Sequence, residues 1–212
     1  MTSTAVLVLA AAGIAAVVDW WSVATGRRSI EIVAKPATLA LLVGAALAID
    51  PATPTIRALF VAGLVLSLAG DVFLLMDTRW FVAGLGAFLA AHIAYTVGLV
   101  DAGLDLRAVA VGVVLVILAI VTTGWRIQRA ASGADRRLGI PVAGYIVAIS
   151  AMLVAAVGTM NPAATVGAGL FYLSDTILGW NRFVAPLPHG RLLTMMAYHG
   201  AQALLVIALG SL

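Results

Sequence analysis

The 212-residue chain contains no cysteine, which excludes disulfides, thiolate metal sites and cysteine nucleophiles. It is nearly as short of charge: Asp, Glu, Lys and Arg supply only 10% of the residues, against 63% that are hydrophobic. No water-soluble domain of this length has that balance. The chain reads as an all-α, polytopic transmembrane bundle, residues 1–212 forming a single transmembrane domain with no room for a separate soluble unit. The net charge of +3 gives no basic surface for nucleic acid. The N-terminus lacks a basic leader region, and its apolar run is too long for a signal peptide, so it reads as a retained first span.

Apolar runs long enough to span occur about eight times, at roughly 4–24, 33–49, 56–76, 80–100, 107–125, 138–157, 163–180 and 191–210. Arg27, Arg28, Arg79, Arg126, Arg129, Arg136, Arg137, Arg182 and Arg191 fall in the odd-numbered loops. Only Arg57 and Arg107 fall on the other side. By the positive-inside rule the odd loops face the cytoplasm and both termini lie outside, in a multi-pass protein of the inner membrane.

Against this background two aspartates stand out. Asp71 lies in the run Leu64-Val-Leu-Ser-Leu-Ala-Gly-Asp-Val-Phe-Leu-Leu-Met76, and Asp175 in Gly169-Leu-Phe-Tyr-Leu-Ser-Asp-Thr-Ile-Leu-Gly-Trp180. A charge at mid-membrane costs about 2.5–3.5 kcal/mol on insertion scales, so such groups mark functional sites unless they pair with a cation or cap a broken helix. The orientation puts both on the cytoplasmic half of their helices, and Lys35, His92 and His199 converge on the same half. Each has a plainer role open to it. Lys35 can snorkel to the interface, His92 can bond a carbonyl, and Asp19 beside Trp20 and Trp21 suits a helix end in an aromatic belt.

Helical spacing groups these residues. Ser67, Gly70 and Asp71 share one face; so do His92 and Tyr95, then Phe171, Tyr172 and Asp175, then Tyr198 and Gln202. Asn181 and Arg182 follow at the inner surface. Carboxylates, imidazoles, phenols and a carboxamide ringed by aliphatic walls are the inventory of an acid–base site open to a lipid-like substrate. Trp20 and Trp125, Pro36 and Pro141, Asp71 and Asp175, and His92 and His199 repeat at separations of 104 to 107, which suggests a 4+4 arrangement by parallel duplication.

These motifs in this order resemble the lysoplasmalogenase (YhhN) family. The carriers are Lys35-Pro36, Ser67-Leu-Ala-Gly-Asp71 with Phe73-Leu-Leu, then Gly84, Phe88 and Ala91-His92 with Tyr95. Gly169-Leu-Phe-Tyr-Leu-Ser-Asp175, Asn181-Arg182-Phe183, and Tyr198 with Gln202 complete the set. His199 has no assigned place in that pattern. The resemblance implies cleavage of the vinyl ether of a lysoplasmalogen, a lysophospholipid drawn from the bilayer. The products are a fatty aldehyde and glycerophosphoethanolamine or glycerophosphocholine, and no cofactor is implied. Protonating the vinyl β-carbon gives an oxocarbenium ion; water then adds, and the hemiacetal collapses. The acid must keep its proton near neutral pH, and an apolar surround favours the neutral carboxyl. Asp71 and Asp175 are the expected catalytic pair, in either order of roles, with His92 and Tyr198 relaying protons. Lys35 and Arg182 are expected on the substrate phosphate. Ser67, Tyr95, Tyr172, Asn181 and Gln202 complete the expected substrate contacts, and no metal is expected. Two other classes fit buried Asp and His: a proton-coupled transporter, and a metal-dependent lipid ester or amide hydrolase using His92, His199 and the aspartates. The second lacks close HExxH-type spacing.

Overall fold

A computed structural model describes residues 2–51, 53–76 and 78–212, Thr78 by its backbone alone. Among the described residues there are eight helices: α1 (Ser3–Ala24), α2 (Arg28–Leu47), α3 (Pro54–Leu75), α4 (Phe81–Asp101), α5 (Leu106–Ala134), α6 (Gly139–Gly158), α7 (Pro162–Gly179) and α8 (Gly190–Ala208). Helix α5 carries one π-turn at Ile120–Gly124, and α7 runs into another at Trp180–Val184.

Six of the eight, α1 to α6, are long and apolar enough to cross a membrane. Helices α7 and α8 fall short of that hydropathy because they carry Asp175 and the Tyr198, His199 and Gln202 cluster. Two boundaries differ from the hydropathy reading. Helix α2 begins at Arg28 rather than near 33, and α5 runs to Ala134 rather than 125. Hydropathy marks what a bilayer accommodates, whereas a helix continues into the interface wherever its charged turns reach water. The early start of α2 puts Glu31 and Lys35 on one face at i, i+4.

The two ends of the bundle are built differently. Thr2, Thr53, Asp105 and Asn161 cap α1, α3, α5 and α7, each accepting from backbone N–H groups of the first turn. Pro54 and Pro162 occupy the following position, where a missing N–H costs nothing. No side-chain cap is found at the starts of α2, α4, α6 and α8, which lie at the arginine-rich end.

Neighbour relations recur in the two halves. Helix α1 packs on α2 as α5 does on α6, α2 on α3 as α6 on α7, and α3 on α4 as α7 on α8. Across the halves, α4 packs on α6 and α8 on α2. This is the 4+4 order that the residue spacing suggests. Helix α5 is peripheral: Gly112 and Val116 face α6, while Val113, Val114, Ile117 and Leu118 point outward.

Glycines set the closeness of α3 and α4. A Cβ on Gly63 would come within 2.7 Å of the Tyr95 ring, one on Gly70 within 2.6 Å of Phe88, and one on Gly98 within 3.0 Å of Phe60. Each aromatic ring thus fills a socket that a glycine leaves on the opposite helix, the small-residue logic of membrane packing. Gly63→Ala should therefore lower stability by about 1–3 kcal/mol by overpacking a fully buried ring. Gly86→Ala, where a Cβ meets nothing within 4 Å, should be neutral. Thermal unfolding of the two variants in detergent checks the difference.

Candidate active site

Both aspartates sit inside the bundle, and each is held by one residue from the preceding helix and one from the fourth helix of the other half. Asp71 on α3 lies 2.9 Å from Lys35 Nζ of α2 through Oδ1, and accepts from the Tyr198 hydroxyl of α8 at 2.8 Å through Oδ2. Only 6% of the Lys35 side chain and 1% of the Asp71 side chain meet the surface. Asp175 on α7 accepts from the Tyr145 hydroxyl of α6 at 2.5 Å. The same oxygen, Oδ2, lies 3.6 Å from His92 Nε2 of α4.

The two pairings differ in charge. Asp71 has an ammonium as a partner; Asp175 has a phenol and an imidazole. His92 Nδ1 bonds the Phe88 carbonyl, which only accepts, so Nδ1 carries a proton and Nε2 of the neutral ring is a bare lone pair. A lone pair and a carboxylate are both acceptors. Their approach is attractive only when one proton resides on either Asp175 or His92. At His199 the tautomer is reversed. Trp20 Nε1 only donates, and does so to Nδ1 at 3.1 Å, leaving a buried Nε2 with no hydrogen-bond partner among the described residues.

Two cavities meet at this point. One is polar and runs from Asp71, Lys35 and Tyr198 to Arg28, Glu31, Asn181 and Arg191 at the arginine-rich end. The other is apolar, walled by Leu85, Ile127, Val142, Ile146, Ile149 and Tyr172, with Phe81 and Arg182 at its rim. Leu74, Phe88, Asp175 and Leu178 line both. Asp175 therefore stands where a polar chamber joins an apolar one.

Of the residues singled out by sequence, Asp71, Asp175, His92 and Tyr198 come together. Lys35 is buried and engaged by Asp71 instead of snorkelling at the surface, and it lines the polar cavity. Arg182 stacks over the Phe81 ring, 4.1 Å from its centroid, beside the apolar cavity. Tyr172 lines that cavity as well. Asn181 faces the polar one, its Oδ1 accepting from the Leu187 N–H at 2.8 Å. Ser67, Tyr95 and Gln202 line neither cavity; they are fully buried, with Tyr95 donating to Gln202 Oε1 at 2.7 Å. Asp19 is also buried, with neither carboxylate oxygen hydrogen-bonded among the described residues, rather than placed at an aromatic-belt surface. Among the described residues no three His or carboxylate side chains converge as metal ligands do.

Sequence reading missed Tyr145, Glu31, Arg28 and Arg191. A lone tyrosine in an apolar helix carries no motif. Its only signal is the 142, 145, 149 stripe that faces the core. Glu31 is the chain's only glutamate and stands four residues before Lys35, which was a usable clue.

The fold and site define a multi-pass helical membrane protein with two buried, differently paired carboxylates. Its sequence matches the YhhN family model over residues 30–209, and the chain belongs to that family. It is 32% identical over 145 residues to human lysoplasmalogenase TMEM86B, covering 68% of this chain and 60% of that protein. It is 35% identical over 167 residues to the lysoplasmalogenase of Mycobacterium tuberculosis (strain CDC 1551 / Oshkosh), covering 76% and 62%, and 31% identical over 162 residues to bovine lysoplasmalogenase TMEM86A, covering 73% and 66%. The matches thus span about three fifths to two thirds of these relatives' lengths. No solved structure matches.

The Lys35–Asp71 pair gives a direct test of the charge bookkeeping. Lys35→Met leaves an uncompensated buried carboxylate and should cost about 3–5 kcal/mol. Adding Asp71→Asn should restore much of that loss, as a double-mutant cycle of unfolding free energies will report.

Proposed function

We propose that this protein is a membrane hydrolase that cleaves the vinyl ether bond of lysoplasmalogens, giving a fatty aldehyde and a glycerophospho-alcohol. The observation that carries this reading is the place of Asp175, bonded by Tyr145 and 3.6 Å from His92 Nε2, at the junction of a polar and an apolar cavity, the polar one also lined by the ion-paired Asp71. The family's curated members named lysoplasmalogenase support it.

In this reading the hydrocarbon tail occupies the apolar cavity and the glycerol the polar one, which places the vinyl ether at Asp175. The Asp175 carboxyl, steadied by the Tyr145 hydroxyl, gives its proton to the vinyl β-carbon. Positive charge then develops on the ether oxygen and its carbon. The Asp71 carboxylate, kept ionised and oriented by Lys35 and Tyr198, stabilises that cation and aligns the incoming water. Water adds and loses a proton, and the hemiacetal breaks to aldehyde and alcohol. His92 Nε2 takes the proton released by that water and returns it to Asp175, which closes the cycle. Two carboxyl groups thus take different roles because one faces a cation and the other does not.

Ser67, Tyr95 and Gln202 support Asp71 and Tyr198 from behind rather than touching substrate, while Tyr172 shapes the tail chamber. The arginine-rich end faces the cytoplasm, both termini lie outside, and the protein resides in the inner membrane. Lipid enters from the bilayer.

Purified protein in detergent should release aldehyde from lysoplasmenylethanolamine. Asp175→Asn and Asp71→Asn should each lower turnover by about 10²–10⁴-fold, the usual worth of positioned acid–base groups, with the helical spectrum unchanged. Full activity in either variant refutes the pair mechanism. Substrate movement across vesicles without aldehyde favours a transporter instead.

A further inference from the structure

The polar cavity does not end at Lys35 and Asp71. Glu31 lies one turn earlier on α2, four residues or about 6 Å along the helix axis. Its side chain is only 7% exposed and is gripped from two sides. Arg28 Nη1 of the same helix reaches Oε1 at 3.2 Å. Arg191 Nη2 from the first turn of α8 donates to Oε1 at 2.8 Å and to Oε2 at 3.0 Å. Arg28 also donates from Nη2 to the Leu75 carbonyl at the end of α3, at 2.5 Å. The cluster therefore ties α2, α3 and α8 together at the cavity mouth.

Charge balance here is uneven. Two guanidinium groups, Arg28 and Arg191, share the single Glu31 carboxylate, and Asp19, buried on α1, pairs with neither of them among the described residues. The Lys35–Asp71 pair below this cluster is already neutral. Arg191 spends only Nη2 on Glu31. Its Nη1 and Nε make no hydrogen bond among the described residues, and its side chain is 61% exposed while still lining the cavity. An exposed guanidinium with Nη1 and Nε uncommitted can still donate a charge-assisted hydrogen bond to a phosphate oxygen.

We propose that Arg28 and Arg191, aimed by Glu31, form the seat for the phosphodiester monoanion of a lysophospholipid substrate. This deepens the reading above and rests on its placing of the ether between Asp71 and Asp175. One helical turn separates Lys35 from Glu31, and the three-carbon glycerol unit between the ether oxygen and the phosphate covers a comparable length. Arg191 provides a charged N–H donor, Arg28 provides charge, and Glu31 is a positioning residue. The phosphate ligands are thus neither Lys35, which Asp71 consumes, nor Arg182, which lies on the apolar chamber. Because both Glu31 oxygens are already engaged, no free carboxylate lines the cavity mouth among the described residues, and ethanolamine and choline head groups should bind alike.

The test is a binding measurement that needs no turnover. A saturated 1-O-alkyl-glycerophosphoethanolamine lacks the vinyl group and cannot be protonated and cleaved. Its affinity for the full chain in nanodiscs is compared with that of the 1-O-alkylglycerol of equal chain length. The wild type should prefer the phospholipid by about tenfold or more, as charge-assisted hydrogen bonds allow. Arg191→Gln and Arg28→Gln should each erase most of that preference while leaving alkylglycerol affinity unchanged. Arg191→Lys, which keeps charge but not the guanidinium held by Glu31, should retain part of it. An unchanged preference in the folded glutamine variants overturns the proposal. Aldehyde assays on the same samples separate the two readings. Binding that depends on the arginines without aldehyde release would sink vinyl ether hydrolysis alone, and release with arginine-independent binding would sink the phosphate seat alone.

Discussion

The buried contact between Lys35 and Asp71 is the interaction on which the site depends. In an apolar bundle a lone carboxylate is prohibitively costly, and so is a lone ammonium; at 2.9 Å each makes the other tolerable. The pair links α2 to α3, and the Tyr198 hydroxyl adds α8 to the same group. Three helices from both halves thereby converge on one oxygen pair. The consequence for chemistry is a carboxylate whose charge is fixed in place. The neighbouring Asp175 has neither lysine nor arginine in ion-pair contact among the described residues, and in the proposed mechanism it is the group whose proton moves.

This contrast sits on a repeated frame. Each aspartate takes one partner from the helix before it, Lys35 or Tyr145, and one from the fourth helix of the opposite half, Tyr198 or His92. The helix contacts recur in the same order in the two halves. What breaks the symmetry is the chemistry of the side chains set on it: a lysine at one aspartate and a tyrosine at the other. Similar positions with different donors give the two carboxyl groups of one bundle different surroundings. The same asymmetry appears in the cavities, polar toward α2 and α8 and apolar toward α5 and α6.

Much of this frame was legible in the sequence because hydropathy and charge are additive along a chain. The spans, the basic end and the two out-of-place aspartates are all local features. The pairings are not local. Lys35 and Asp71 are 36 residues apart, Tyr198 and Asp71 are 127 apart, and nothing in either segment names the other. Tyr145 was invisible because an isolated aromatic residue in an apolar helix looks like packing. Ser67, Tyr95 and Gln202 share faces with Asp71, His92 and Tyr198, so periodicity could not tell the cavity wall from the layer behind it. Hydropathy also cut α2 short, which hid Glu31 one turn above Lys35.

The central claim is that Asp175 delivers a proton to carbon, and hydrolysis in D2O reads this most directly. Cleavage of an alkenyl lysolipid should place one deuterium on the carbon next to the aldehyde group, as mass spectrometry of the freshly trapped product will show. Authentic aldehyde incubated with the protein serves as the exchange control. Incorporation of one deuterium beyond that control confirms protonation of the vinyl carbon. Aldehyde released without it would contradict the account, because the bond would then break without the acid step for which this site is built.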